Sequence, residues 1–276
     1  MMDMGGADAD TGGMKTWRLM SPREELTRWI GWLLLAALTV FCWRVMTADT
    51  IWAFVRDAPR QAADIFGRML PPRWDYADKL WLPLWDTLNM ATLGTLLAII
   101  IATPLAFLAA RNTTPSGLFI RPVALFIIVA SRSINALIWG LLLVAILGPG
   151  VLAGIIAIAL RSIGFIGKLL YEAIEEIDER QVEAVKATGA SRAQVIAYGI
   201  VPQVMPAFAT ISVFRWDINI RESTVLGLVG AGGLGLALES SLNTLAWPQV
   251  SVILMMILVT VIFSEWVTAR VRRAII

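Results

Sequence analysis

The chain has 276 residues, of which 58% are hydrophobic and 16% charged, and its formal net charge is +2. With a mean hydropathy of +0.72, this composition excludes an ordinary soluble domain, and the scattered basic residues indicate no nucleic-acid partner. The single cysteine excludes an internal disulfide, and the absence of histidine removes the usual metal ligand and general base, so we predict no metal site and no catalytic residues.

Residues 1–28 are predicted to form a cytoplasmic tail that begins with a small, acidic and glycine-rich stretch. An apolar run at 29–46 follows four basic residues: Lys15, Arg18, Arg23 and Arg28. No small-residue cleavage site comes after this run. We therefore interpret it as a retained first membrane span with its N-terminus in the cytoplasm, and not as a secretory signal.

The next segment, residues 48–79, alternates acids and bases and contains Pro71-Pro72. Such a composition is typical of a surface loop. Residues 29–83 are therefore predicted to comprise the first span and an extracytoplasmic loop.

Residues 84–276 hold the remaining apolar runs, and about 20 helical residues are needed to cross the hydrocarbon core. Four runs are continuous, at 84–109, 122–147, 151–170 and 251–267. A fifth run, 201–235, is interrupted by four charged residues and then by glycines, so we expect one span plus an irregular or re-entrant return. The sequence thus predicts an all-α polytopic membrane protein with about six transmembrane helices.

Lysine and arginine in the short loops predict the orientation of the spans. They occur after the second, fourth and last runs: Arg111, Arg121, Lys168, Arg180, Lys186, Arg192, Arg270, Arg272 and Arg273. The long loop at 48–79 is also basic and opposes the rule. On balance both termini are predicted to be cytoplasmic.

The polar segment 171–202 contains two helix start signals. Ser191 with Gln194 has the spacing of a capping box, and Asp178 with Gln181 resembles a second capping pair. The segment therefore predicts two short helices on the cytoplasmic side.

Gly189 lies between these helices, and glycine readily ends a helix in the left-handed conformation. Val182 and Val185 on the first helix are expected to contact Val195 and Ile196 on the second. Spacing alone leaves two interpretations open, a docking element for a partner and an ordinary amphipathic linker between two spans.

Within this segment, Glu183-Ala184-Val185 is followed after three residues by Gly189 and, after nine more, by Gly199-Ile200-Val201-Pro202. This pattern resembles the coupling loop of ABC importer permeases, whose motif is Glu-Ala-Ala, three residues, Gly, nine residues and Ile-x-Leu-Pro. Both spacings match, whereas Val185, Gly199 and Val201 depart from the consensus. The resemblance implies that Glu183, Ala184, Gly189 and Pro202 take part in coupling to an ATPase.

The resemblance extends over about residues 84–276 and is closest to the phosphonate-type permeases. Four further stretches carry it: Arg132-Ser133-Ile134-Asn135-Ala136, Ala159-Leu160-Arg161-Ser162-Ile163-Gly164, Asp217-Ile218-Asn219-Ile220-Arg221-Glu222-Ser223-Thr224 and Gly227-Leu228-Val229-Gly230-Ala231-Gly232-Gly233-Leu234-Gly235. It implies a type I ABC importer permease fold in a bacterial inner membrane. The implied partners are two ATPase subunits, an extracytoplasmic binding protein and a second copy of this chain.

ATP and magnesium are expected on the ATPase partners, and no cofactor is expected in this chain. The sequence has no Gly-x4-Gly-Lys-Ser/Thr phosphate loop, so ATP energy has to arrive through a contact with a partner. The stretch Gly230-Ala231-Gly232-Gly233-Leu234-Gly235 formally matches a dinucleotide fingerprint, but no βαβ unit surrounds it. We interpret it as a bend where helices approach closely, as we do Gly150 and Gly154 beside a hairpin of spans at Gly148-Pro149-Gly150.

Six charged residues fall inside predicted spans: Arg132, Arg161, Arg215, Asp217, Arg221 and Glu222. Each costs roughly 2.5–3.5 kcal/mol at mid-bilayer. One interpretation pairs Arg215 with Asp217 and Arg221 with Glu222 as structural ion pairs. Arg132 and Arg161 have no acid in their own spans, so they either attract phosphonate or phosphate oxygens or extend to lipid headgroups.

Small polar residues in the same stretches, among them Asn135, Ser162 and Asn219, either line the pathway or hold helices together. The leading hypothesis is a homodimeric permease that imports a phosphonate or a related phosphorus oxyanion. Three alternatives remain: an importer for another small solute such as phosphate or an amino acid, a membrane enzyme using Asp217 or Glu222 on lipid headgroups, and a secondary carrier or scaffold.

Overall fold

A computed structural model describes residues 22–275, and every regular element in that range is a helix. The helices are α1 (Pro22–Thr47), α2 (Trp52–Met69), α3 (Trp81–Ala109), α4 (Ile120–Ser133), α5 (Ala136–Leu147), α6 (Val151–Glu175), α7 (Glu179–Ala187), α8 (Arg192–Gln194), α9 (Val201–Leu226), α10 (Gly233–Asn243) and α11 (Trp247–Ile275). Short irregular turns lie before α3, before α9 and after α9. Five helical segments are long and apolar enough to cross a membrane, and α4 with α5 can supply a sixth span. The predicted all-helical membrane architecture is confirmed.

The chain forms two compact units that divide between Ala62 and Ala63. In the first unit, α1 contains the predicted first span and also residues 22–28 of the predicted tail. The rest of that tail lies outside the described residues.

Residues 48–79, which we predicted as part of an extracytoplasmic loop, are largely helical, since they contain α2 and most of a 3₁₀ turn at Trp74–Leu80. One face of α2 is apolar, because its hydrophobic residues recur every three, four or seven positions: Trp52, Val55, Ala62, Phe66 and Met69. The charged residues between them lie on the opposite face. The alternation of acids and bases concealed this amphipathic period.

In the second unit, α6 is the central helix and packs against α3, α4, α5 and α9. Small residues permit these close contacts. A side-chain carbon added at Gly154 would collide with the sulfur of Met90 on α3, and one at Gly164 would lie 2.8 Å from the backbone nitrogen of Arg132 on α4. Gly150 differs from our expectation, since it has open space around it and a φ of +150° in the α5–α6 hairpin.

The run 122–147 is not the continuous span that we predicted, because α4 and α5 meet at an angle of 87°. Asn135 lies at this bend and caps α5, its side-chain oxygen accepting a hydrogen bond from the Leu137 nitrogen at 3.1 Å. Ser131, near the end of α4, holds the bend against α6. Its hydroxyl accepts a hydrogen bond from the Gly164 nitrogen at 3.0 Å and donates one to the Leu160 carbonyl.

The fifth run contains the predicted span and irregular return, but its charged residues do not interrupt the helix. Helix α9 continues through all four charged residues and ends only at Leu226, before the glycine-rich turn. In that turn Gly230, Gly232 and Gly233 have φ values of +91°, +95° and +71°, which are accessible to glycine. The chain then enters α10, and the predicted bend is confirmed.

Candidate translocation pathway and coupling loop

A buried polar network joins α3, α6 and α9 near the middle of their spans. Arg215 on α9 has a side chain only 3% exposed. Its Nε donates to the Ser162 hydroxyl on α6 at 2.9 Å, its Nη2 donates to Glu222 at 2.9 Å, and its guanidinium lies 5.2 Å from the centre of the Phe165 ring. Every side of this arginine is therefore occupied by protein.

Asn219 extends the network to α3. Its amide nitrogen donates to the Thr95 hydroxyl at 2.7 Å, and its amide oxygen accepts from Ser162 at 3.3 Å. Asn219 and Ser162 are completely buried. Hydrogen bonds of this kind hold membrane helices together.

Glu222 is shared between two arginines on different helices. One carboxylate oxygen accepts from Arg215 and the other from the Nε of Arg161 on α6, at 3.2 Å. The Arg161 side chain is 30% exposed. In the part of the chain that the structure describes, its two terminal nitrogens have no hydrogen-bond partner, so one half of the guanidinium remains available.

A second charged cluster joins α9 to α11. Arg221 forms an ion pair with Asp217 one turn earlier and lies 3.5 Å from Glu265. Asp217 also accepts from the Ser264 hydroxyl at 2.6 Å. Asp217 is nearly buried, whereas the side chains of Arg221 and Glu265 are 45% and 60% exposed.

These contacts correct the predicted pairing. Arg215 pairs with Glu222 and not with Asp217, and Arg221 pairs with Asp217 and not with Glu222. Residues one or two apart in a helix point in different directions, whereas positions four and seven apart share a face. Arg161 is also not the unpaired residue that we expected, because its acid lies on another span.

Arg132 lies at the end of α4 with an exposed side chain. Between residues 22 and 275 no carboxylate lies within ion-pair distance of it. The triad formed by Arg161, Arg215 and Glu222 holds two positive charges and one negative charge, so its formal net charge is +1.

Sequence reasoning missed Glu265 and Ser131. Glu265 is the acidic residue within the apolar run 251–267, and an isolated carboxylate there was an available signal. Ser131 gave no such signal, because its role depends on the packing of α4 against α6.

Residues 171–202, the candidate coupling loop, contain the two predicted short helices. At α8, Ser191 and Gln194 form the complete capping box, with bonds of 3.4 and 2.8 Å. Asp178 caps α7 by accepting from the Arg180 nitrogen at 3.0 Å. Gln181 does not complete a second box, because the Asp178 nitrogen donates instead to Gln203 on α9 at 3.0 Å.

Gly189 ends the first short helix with a φ of +80°, as predicted. Val182 and Val195 are buried in one cluster, and Val185 and Ile196 pack against it. The outer surface of the loop is free within the described chain, since four motif residues are exposed: Glu183, Ala184, Gly189 and Pro202.

A many-span helical fold with a charged network near the middle of its helices is compatible with a membrane permease. The chain belongs to the family of binding-protein-dependent transport system inner membrane components, whose profile matches residues 94–276. It is 38% identical over 263 residues to the phosphite transport system permease protein PtxC of Stutzerimonas stutzeri, covering 91% of this chain and 94% of PtxC.

The chain is also 40% identical over 240 residues to the phosphate-import permease protein PhnE of Mycolicibacterium smegmatis, covering 87% of this chain and 44% of that protein. Among solved structures, an inward-facing MetNI methionine ABC transporter matches with a TM-score of 0.61 and 22% identity, over 71% of this chain and 96% of its own. An amino acid ABC transporter matches with a TM-score of 0.62 and 19% identity, over 72% and 95% of the two chains. These two likenesses establish the type I permease fold.

The comparisons confirm the predicted family and its similarity to permeases for phosphorus oxyanions. Family membership makes the chain a transport subunit of a bacterial inner-membrane importer. It thereby removes the enzyme, carrier and scaffold alternatives.

Proposed function

We propose that two copies of this chain form the membrane pathway of an ABC importer for a phosphorus oxyanion, such as a phosphonate, phosphite or phosphate. An extracytoplasmic binding protein would deliver the anion, and two ATPase subunits that bind ATP and magnesium would drive its passage. The names of PtxC and PhnE support this class of substrate.

The observation that carries the proposal is the half-free guanidinium of Arg161, which shares the one carboxylate of Glu222 with Arg215 in a triad of formal net charge +1. Guanidinium groups bind phosphorus oxyanions through two parallel hydrogen bonds. Arg161 has its Nε on Glu222 and two terminal nitrogens without partners in the described chain. Because Glu222 already neutralises part of its charge, binding would be weak enough for release.

The sequence-predicted pathway residues divide into two groups by exposure. We propose that the more exposed ones face the anion: Arg132, Asn135, Arg161, Arg221 and Glu222. The buried ones, Ser162, Arg215, Asp217 and Asn219, would hold α6, α9 and α11 in register around it.

The coupling loop would transmit the work of the ATPases. Glu183, Ala184, Gly189 and Pro202 lie on its exposed surface, available to a cleft on an ATPase subunit. In this arrangement both termini are cytoplasmic, residues 29–83 form the first span and the extracytoplasmic segment, and residues 84–276 form the permease core.

The proposal is tested by reconstituting the chain with its ATPase and binding protein in vesicles. ATP hydrolysis and uptake would be measured with methylphosphonate, phosphite, phosphate and, as a comparison, methionine. We expect stimulation by at least one phosphorus oxyanion and none by methionine. Stimulation by methionine alone would leave an importer with a different substrate, and the absence of an associated ATPase would overturn the proposal.

A further inference from the structure

We propose that Arg192 is a positioning residue that links movement of the coupling loop to the first cytoplasmic loop, residues 110–119, and through it to α4. This inference rests on the proposed function, because it assumes that an ATPase moves the coupling loop. It adds a second route to the direct one, in which the coupling loop continues into α9.

Arg192 spans the gap between the two loops. Its Nη2 donates to the carbonyl oxygens of Thr113 and Thr114 at 2.9 and 3.0 Å. The backbone at Arg192 is itself fixed, because it follows Ser191 in the capping box closed by Gln194. A movement of α8 is therefore passed to the 110–119 loop by a short, charged contact.

Elsewhere the two loops are separated by an open cleft of about 560 Å³. Its walls include Asn112 and Thr113 on one side and Val182, Glu183 and Lys186 on the other. Within the described chain, the two bonds from Arg192 are the hydrogen bonds that cross from residues 179–200 to residues 110–119. The contact is thus a localised bridge and not part of a broad interface.

The 110–119 loop is also bound to the end of α6. Glu175 accepts from the Arg111 nitrogen at 2.9 Å and lies 3.5 Å from the guanidinium of Arg121, which is in the first turn of α4. The Asn112 side chain donates to the Ile174 carbonyl at 2.6 Å. A displacement received from Arg192 therefore acts on a loop attached to both α4 and α6.

The far end of α4 is the bend at mid-span. There Ser131 bonds to the backbone of α6 at Gly164, and Arg132 follows with its exposed guanidinium. A shift of α4 relative to α6 would change the position of Arg132. The coupling loop could in this way act on both sides of α6, through α9 and through α4.

The test compares Arg192→Gln, Arg192→Lys and a matched control, Thr114→Ala, in the full transporter complex. Thr114→Ala keeps the carbonyl oxygen that accepts from Arg192. Hydrogen–deuterium exchange at residues 110–121 would be measured with and without trapping by ATP and vanadate, together with the amount of methylphosphonate or phosphite imported per ATP hydrolysed.

We expect nucleotide-dependent exchange at 110–121 in the unmodified protein and in Thr114→Ala. In Arg192→Gln this dependence should disappear and import per ATP should fall at least about five-fold, the lower end of measured coupling between sites. The ATPase should still co-purify and hydrolyse ATP. Arg192→Lys, which retains a charged donor, should recover part of the coupling.

Two results would overturn the inference. Normal exchange and coupling in Arg192→Gln would show that the bridge transmits nothing, and loss of ATPase binding would make Arg192 a docking residue. Failure of the proposed function can be told apart from failure of this inference, because in that case the unmodified complex itself would lack transport or an ATPase.

Discussion

Arg215 and Glu222 lie two helical turns apart on α9, with 2.9 Å between a guanidinium nitrogen and a carboxylate oxygen. The same carboxylate reaches Arg161 on α6. One acidic side chain therefore forms ion pairs with two arginines, which leaves a formal net charge of +1, and joins two membrane-spanning helices. Its removal should affect stability more than the removal of any surface acid.

Replacing Glu222 with Gln should lower the free energy of unfolding by about 3–5 kcal/mol, since it leaves the buried Arg215 without a counter-charge. Thermal unfolding of the purified protein in detergent measures this. The matched control is Glu265→Gln. The Glu265 side chain is 60% exposed, so its ion pair with Arg221 should contribute less than about 1 kcal/mol to the free energy of unfolding. Equal destabilisation by the two variants would contradict the central role of Glu222.

Replacing Arg161 with Gln should reduce oxyanion uptake while the complex still assembles. The expected loss is roughly ten-fold or more, because a charge-assisted bond contributes about 1.5–3 kcal/mol. Arg161→Lys keeps the charge but cannot form the bidentate contact, so its uptake should lie between those of the unmodified protein and Arg161→Gln. Uptake per assembled complex in vesicles is the measurement, and loss of assembly in Arg161→Gln would indicate a packing role instead.

The partners of these charges show where sequence reasoning reaches its limit. The helical period alone excludes a pair between Arg215 and Asp217, which are two residues apart, and favours Arg221 with Asp217, which are four apart. That correction was available without a structure. The contact from Arg161 to Glu222 was not, because it requires the packing of α6 against α9.

Gly189→Val should uncouple ATP hydrolysis from transport. The left-handed conformation at this position costs roughly 1–2 kcal/mol for an ordinary residue, and more for a β-branched one, so the turn between α7 and α8 should change shape. No atom lies within 4 Å of the position where a side-chain carbon would be, so the effect is conformational and not steric.

The control for this prediction is Gly189→Asn, because asparagine adopts the left-handed conformation readily. Import per ATP hydrolysed should be near normal in Gly189→Asn and strongly reduced in Gly189→Val. Normal coupling in both variants would remove the turn from the coupling mechanism.

Gly235→Ala should prevent stable folding of the turn between α9 and α10. An added methyl group would collide with the carbonyl oxygen of Thr224 and approach the backbone of Gly227 to 2.8 Å, and backbone atoms cannot move aside as a side chain can. We expect the free energy of unfolding to fall by about 3 kcal/mol. Gly117→Ala, which meets nothing within 4 Å, should be neutral, and thermal unfolding of both variants checks the contrast.

Local signals predicted the fold better than they predicted its bends. The caps at Asp178 and Ser191 and the stop at Gly189 are encoded within a few residues, so the coupling loop could be derived from the sequence. The bend between α4 and α5 has no proline or glycine at its break, and Asn135 as a helix cap is its one local mark. Its angle depends on Ser131 and Gly164 meeting across two helices.

The distribution of charge between α9 and α6 bears on how the chain enters the membrane. Helix α9 carries Arg215, Asp217, Arg221 and Glu222, and both of their ion pairs form within the helix, so it can insert with its charges already neutralised. Arg161 on α6 meets its carboxylate only when α9, synthesised later, packs beside it. Arg161 therefore gains its ion pair only after α9 has been synthesised, so the order of the helices along the chain sets the order in which these charges are paired.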